Sequence, residues 1–411
     1  MSEPTRRNVT RRRVLQAGAG LATGTALAPA AAGAEPAPVK RPNVYDALGV
    51  KPVINATGTI TVLGGSVMPP EVVAAWAEAA RHFVDLVELQ DKVGAKIATL
   101  LGVEAACVTT GAAGALFLGT AAAVTRGHKR LVGRLPDTTG MRNEVILQKA
   151  HHSCYDNQLT GVGARLVEVE TPADVAKAVG ERTALMFFMN VAADAGKINR
   201  EGWVELAREY KVPALLDAAA DVPPVSRVAE YAKMGFDLIA LSGGKAVRGP
   251  NDTGLLLGRA DLIAAARLNA NPNCGTVGRA LKVGKEDMIA LLAAVERFVR
   301  LGDAGERKEF ERRIGVIEKA VKAVPAVECE RLTPAIANHV RHLQIAWDEK
   351  VVKVTRENVT RALSDGTPSI RIGRVAGTGD KGILISVLTL QEGEEQTVAA
   401  RLAEILKNAA G

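Results

Sequence analysis

Between residues 104 and 258 short apolar runs recur, separated by turns and by stretches of helical pattern. The runs lie near 104–110, 144–148, 164–169, 184–189, 213–216, 237–241 and 253–258, and the helical patterns at 111–124, 172–179 and 201–210. Strands that alternate with helices imply βαβ units, hence an α/β fold with a mostly parallel central sheet and helices on both faces. Right-handed crossovers bring the carboxyl ends of the strands to one edge, where ligands bind in such folds. A hydrophobic content of 47% suffices for the large cores this layering needs.

Two ionisable residues fall at that edge. The run Val212-Pro-Ala-Leu-Leu-Asp217 ends in a carboxylate, which needs a cation or hydrogen-bond donors at the end of a buried strand. One strand later, Asp237-Leu-Ile-Ala-Leu241 leads into Ser242-Gly-Gly-Lys-Ala-Val-Arg-Gly-Pro250. Gly243 and Gly244 are expected to turn the backbone through φ values that other residues avoid. Gly249-Pro250 stops a helix from following. A bare SGGK is equally a surface turn, but the preceding strand-end aspartate favours a site. An aspartate and, one strand on, a loop lysine suit pyridoxal phosphate. Lys245 would bond the cofactor and Asp217 would keep its ring nitrogen protonated. Upstream, Glu104-Ala-Ala-Cys-Val-Thr-Thr-Gly-Ala-Ala-Gly114 reads as strand, turn and helix start. Backbone N–H groups of Gly111, Ala112 and Ala113 would form an anion site for the cofactor phosphate, with Thr110 and Ser242 adding hydroxyls.

Asp217-Ala-Ala-Ala and Ser-Gly-Gly-Lys245-Ala-Val-Arg-Gly-Pro resemble the selenocysteine synthase-like family of fold-type I pyridoxal-phosphate enzymes. That family includes L-seryl-tRNA selenium transferase and D-glucosaminate-6-phosphate ammonia-lyase. The resemblance covers roughly residues 44–410, is strongest in 52–120 and 213–290, and is poor across 323–380. Asn55, Thr57, Gly64, Gly65 and Ser66 match the family's opening motif, which lies near the active site and subunit interface; without the resemblance they read as a Gly-rich loop. In His151-His152-Ser-Cys-Tyr-Asp156 the resemblance implies His151 as the ring stacked on the cofactor, with His152 as second choice. No metal is expected, because adjacent histidines diverge and would need further ligands. His152 and Tyr155 are candidates to touch substrate. Arg279, Lys282 and Lys285 form a cationic cluster that either meets a cofactor or substrate anion, also in a neighbouring subunit, or is a solvated helix start. On a later strand Arg371 and Arg374 have odd spacing, so only one faces the site. Arg371 is the expected carboxylate ligand.

Residues 1–34 read as a removable export signal. Thr10-Arg-Arg-Arg-Val-Leu15 matches a twin-arginine motif, and Ala32-Gly-Ala34 offers a cleavage site before Glu35. Gly18, Gly20, Gly24 and Pro29 leave too little hydrophobicity for a membrane anchor. The expected location is the periplasm or outside the cell. The segment holds five arginines against Glu3, so the formal charge of +7 becomes +3 without it. This does not support a nucleic-acid partner. Residues 35–290 are expected to form the large cofactor-binding domain, with one helix from Pro69-Pro70 to about Leu101. Residues 291–411 are expected to hold a connecting helix, broken near Gly302-Asp-Ala-Gly305, and a small α+β domain. Cys107, Cys154, Cys274 and Cys329 have no metal-like spacing; Cys107 reads as a buried thiol.

The functional expectation is an exported pyridoxal-phosphate enzyme, homodimeric or larger, acting on an amino acid or amino sugar acid. By resemblance the reaction is α,β-elimination with ammonia release; transamination or racemisation would use the same residues. A cofactor-less binding protein is the non-enzymatic alternative, and Asp217 and Lys245 argue against it. Selenium transfer to tRNA is not expected. Only a short tail separates Glu35 from the first strand, and an exported protein meets no charged tRNA.

Overall fold

Every apolar run of the 104–258 region becomes a strand of one seven-stranded sheet. The structure is a computed structural model that describes residues 43–337, 339–373 and 382–410. The expected signal, residues 1–34, and Arg374 lie outside the described residues. The chain divides into two units, Met1–Lys51 and Pro52–Gly411. The described part of the first holds one 3-10 turn, Asp46–Leu48. Everything below belongs to the second.

After β1 (Val53–Ala56), the sheet contains β2 (Ala105–Thr110), β3 (Glu144–Gln148), β4 (Arg165–Val169), β5 (Thr183–Met189), β6 (Ala214–Asp217), β7 (Leu238–Ser242) and β8 (Thr253–Gly258). Their order is β2-β8-β7-β6-β5-β3-β4. β8 runs antiparallel between β2 and β7, and the other pairings are parallel. The central strands are buried along their whole length, so they read as continuous apolar runs. Successive residues feed opposite faces. Leu216, Phe188 and Ile239 enter one core with Trp203, whereas Leu215, Phe187 and Leu238 enter the other with Leu116 and Leu118. Cys107 lies in the second core with its thiol pushed up to about 12 by burial.

Three helices matter for the site: α1 (Pro70–Ala79), α2 (Leu86–Leu101) and α3 (Gly111–Thr125). The single helix expected over 70–101 is in fact two. Residues 80–85 interrupt it, and the Asp85 carboxylate accepts the Val87 and Glu88 N–H groups to start α2 afresh. The long helix Lys285–Gly305 is kinked at Gly302, where φ is 59°, near the expected break. Helix Arg307–Val321 follows, then β9 (Val327–Leu332), β10 (His342–Trp347), helix Arg356–Asp365, β11 (Ser369–Ile372), β12 (Ile383–Ser386) and helix Glu394–Ala410. Strands β12, β10 and β9 form an antiparallel sheet over a separate apolar core. β1 returns to pair with β11 in parallel. Among the described residues no helix is long and apolar enough to cross a membrane.

Candidate active site

Asp217 ends β6, and Lys245 lies three residues beyond the end of β7, its neighbour in the sheet. Asp217 is buried, and its Oδ1 accepts the Ala219 N–H at 3.0 Å. Burial pushes its carboxyl up to about 6, against the pull of the Ala219 N–H and Lys245. Lys245 is half-buried; desolvation lowers its amine, and Asp217 and Asp221 draw it back up. Each group therefore senses the other, and the amine is shifted toward the neutral form that a nucleophile needs.

The lysine loop is fixed by packing. Gly243 and Gly244 do not adopt positive φ, contrary to expectation. They are required by space: a Cβ on Gly244 would lie 2.4 Å from Asn251 Cα, and one on Gly243 would lie 2.3 Å from Thr253 Oγ1. The residue with positive φ is Arg248, at 64°. Its guanidinium donates to Val67 O at 3.2 Å and pairs with Glu306 at 3.3 Å. Ser66 Oγ donates to Gly244 O at 2.9 Å. The opening loop thus contacts the lysine loop directly.

The phosphate end is formed by α3. Thr110 stands at its N-cap, yet the hydroxyl makes no capping bond. Thr110 Oγ1 is buried with no hydrogen-bond partner among the described residues. An orphaned hydroxyl there, beside N–H groups that a helix start leaves free, fits an anion. Gly111, Ala112 and Ala113 are half-buried and so remain approachable. Gly254 has no room for a Cβ, which would meet the Gly111 backbone at 2.2 Å. Ser242 sits on the adjacent strand pair, opposite Gly254. These residues fit pyridoxal phosphate: an anion cradle at one end, and a carboxylate and an amine at the other.

Other expected residues are less well gathered. His151 is fully enclosed: its ring meets Phe188 edge-on at 4.4 Å, and its Nδ1 accepts the Met189 N–H at 3.3 Å. Burial lowers it to about 4, so it is neutral, and no ring face is open for stacking. His152 is bound by two carboxylates, Asp156 at 2.5 Å and Glu168 on the edge strand β4 at 3.2 Å. Its hydrogen bond to Asp156 raises its pKa. Tyr155 is 45% exposed, and its hydroxyl is pushed up by partial burial and by the neighbouring Cys154 and Asp217. Of the two, Tyr155 is the one that senses Asp217. Arg371 is exposed and donates to Ser364 Oγ at 2.6 Å, beside helix Arg356–Asp365. Arg279 and Lys282 are exposed, and Lys285 donates to Ala79 O at 2.9 Å.

Sequence reasoning missed a buried triad at the same edge. Asn190 follows β5 and Asp221 follows β6, and both join Tyr231 from helix Arg227–Met234. The sequence carried little signal for it: Asn190 directly follows a buried strand, but Asp221 lies four residues past β6 and Tyr231 sits within a helix.

The sequence profile of the L-seryl-tRNA selenium transferase family matches residues 53–356. The chain is 29% identical over 380 residues to a D-glucosaminate-6-phosphate ammonia lyase of Salmonella typhimurium, covering 90% of this chain and 99% of that one. It is 30% identical over 382 residues to a 5'-C-glycyluridine monooxygenase-decarboxylase of a Streptomyces species, covering 89% and 93%. A solved D-glucosaminate-6-phosphate ammonia-lyase superposes with a TM-score of 0.79 at 27% identity, over 90% of this chain and all of the other. A serine palmitoyltransferase variant from S. paucimobilis with a bound aldimine of pyridoxal phosphate and myriocin gives 0.53 at 15% identity, over 87% and 88%, a likeness of fold alone. With a lysine, an aspartate and an anion cradle at one sheet edge and this matched profile, the chain belongs to the L-seryl-tRNA selenium transferase family of fold-type I, pyridoxal-phosphate-dependent enzymes.

Proposed function

We propose that this enzyme is an exported ammonia-lyase that acts on an amino acid or amino sugar acid bearing a β-hydroxyl, by α,β-elimination. The observation that carries the reading is the likeness to an ammonia lyase along 99% of that protein's length, over a site that fits the cofactor. Bound pyridoxal phosphate withdraws electrons from the substrate's Cα. Lys245 would take the Cα proton; its lowered pKa suits a base. Asp217, as a carboxylate, holds the ring nitrogen's proton. Tyr155 and His152 are the candidates to protonate the departing hydroxyl at Cβ; Tyr155 is 45% exposed, whereas His152 is held by Asp156 and Glu168. Arg371 remains the candidate carboxylate ligand, once freed from Ser364.

The Streptomyces relative carries a different named activity at similar identity, so stoichiometry decides the reaction. Elimination yields one ammonia and one keto acid per substrate, with no added keto acid. If turnover requires a keto-acid acceptor, and the amine form of the cofactor accumulates without one, the enzyme is an aminotransferase instead.

The proposed assembly is at least a dimer. Ile60, Val62, Val67, Val73, Trp76, Phe83, Val84 and Val87 expose large apolar side chains between residues 60 and 87; Phe83 is fully exposed and Val62 is 87% exposed. A run of exposed apolar residues marks an interaction surface. It adjoins the opening loop that grips Lys245, and Arg279 and Lys282 would be free to reach a neighbouring subunit. The protein is expected to start near Glu35 after export and to scatter light as a dimer or larger. A fully active monomer, or a cytoplasmic protein retaining residues 1–34, would refute this.

A further inference from the structure

The turn after β6 has Asp217 at one end and Asp221 at the other. Asp217 Oδ1 accepts the Ala219 N–H at 3.0 Å, and the Asp221 N–H donates to Ala218 O at 3.1 Å, which closes a tight turn over residues 218–221. Ala218, Ala219 and Ala220 carry only methyl groups, so none of their side chains can fix the turn by a hydrogen bond. Its outer bonds do so instead. On the β7 side they are made by the backbone: the Ala218 N–H donates to Ala240 O at 3.0 Å, and the Ser242 N–H donates to Ala219 O at 3.2 Å. These two bonds carry the β6–β7 pairing past its last register pair, Asp217 and Ala240.

On the β5 side the backbone pairing stops at Met189, which stands opposite Asp217. Side chains take over from there. Asn190, the next residue, donates from Nδ2 to Asp221 Oδ2 at 2.5 Å and to the Tyr231 oxygen at 2.8 Å. The Tyr231 hydroxyl donates to the same Asp221 oxygen at 3.0 Å. Arg200 in turn holds Asn190, donating to its Oδ1 at 3.0 Å. Asn190, Asp221 and Tyr231 are all buried, so water does not compete for these bonds.

We propose that Asn190, Asp221 and Tyr231 are positioning residues, which clamp the far end of this turn to β5 so that the Ala219 N–H stays aimed at the Asp217 carboxylate. It rests on the reading of Asp217 as the partner of the cofactor's ring nitrogen. A carboxylate that accepts a fixed N–H through one oxygen has lost most of its freedom to rotate. Its other oxygen is then oriented before the cofactor arrives, and the ordering cost is not charged to binding. With the clamp loosened, the turn remains attached to β7 alone, and the Ala219 N–H no longer fixes the carboxylate.

The test titrates the full chain, stripped of cofactor, with pyridoxal phosphate in a double-mutant cycle. Tyr231→Phe keeps the ring and removes one bond to Asp221. It is expected to weaken binding by about 10-fold, the size of one hydrogen bond to a charged group. If the clamp acts through Asp217, the same change made in Asp217→Asn weakens binding by less than about 2-fold, because contributions that share a partner do not add. A residue that merely supports the fold would cost the same in both backgrounds. Amide exchange in the stripped proteins gives a second readout: the Ala219 N–H is expected to exchange faster in Tyr231→Phe, while β5, β6 and β7 stay protected. Should Tyr231→Phe loosen the whole sheet, Asn190→Ala runs the same cycle. Unchanged affinity in both Tyr231→Phe and Asn190→Ala, or an equal loss in both Asp217 backgrounds, overturns the clamp and leaves the Asp217 assignment standing. If Asp217→Asn alone binds pyridoxal phosphate as tightly as the wild type, the reading of Asp217 falls and the clamp falls with it.

Discussion

Lys245→Ala is expected to lose borohydride-trappable cofactor and to lower turnover by on the order of 10⁴-fold or more, the combined effect of removing a covalent anchor and a base. The loop around it should survive the change. It is held by contacts that do not involve the side chain: Ser66 Oγ to Gly244 O, the Gly249 N–H to Gly243 O at 2.9 Å, and Arg248 to Val67 and Glu306. The anchor for the phosphate, Thr110 and the start of α3, lies on a different strand. The variant should therefore still bind pyridoxal phosphate reversibly, with a visible spectrum like that of the free aldehyde. Retention of covalently held cofactor in Lys245→Ala would remove the residue from its role.

Asp217→Asn is expected to retain cofactor and fold but to slow catalysis by roughly 10²–10³-fold, the range for removing one aimed electrostatic partner from a reacting group. An amide cannot hold the proton of the ring nitrogen. Without cofactor the carboxyl titrates near 6, above its ordinary value of 3.8, because burial penalises its charge. The folded apoprotein thus binds a proton more tightly than the unfolded chain. That contribution to stability is present below about pH 4 and is lost as the pH rises through about 6. A cationic ring placed against Asp217 removes the penalty. Wild-type apoprotein should therefore lose more stability between pH 4 and pH 6 than apo Asp217→Asn, and saturating cofactor should abolish the difference. Near-normal turnover in Asp217→Asn would refute its assignment.

The features legible in the sequence were those governed by the chain's local period. Strands β2 to β8 appear as apolar runs because their residues feed cores on both sheet faces, and the helix break near Gly302 appears as glycine. The start of α2 was hidden. Residues 70–101 keep a helical composition throughout, and only Asp85, an N-cap followed by Leu86, marks the restart. Gly243 and Gly244 were recognised as necessary, but for the wrong reason: the constraint is the neighbouring Asn251 and Thr253, which β8 brings alongside. The Asp221 triad was out of reach because it joins β5, β6 and a helix beyond them through side chains. His151 shows the same limit. Its segment reaches the correct edge, yet whether its ring faces the cofactor or Phe188 is decided by packing across strands.

The most direct test of the central claim is to purify the protein with pyridoxal phosphate, reduce it with borohydride, digest it and map the modified lysine by mass spectrometry. The account predicts one phosphopyridoxyl group per chain, on the peptide containing Ser242-Gly-Gly-Lys245. A label on any other lysine, or a colourless protein with none, would contradict it.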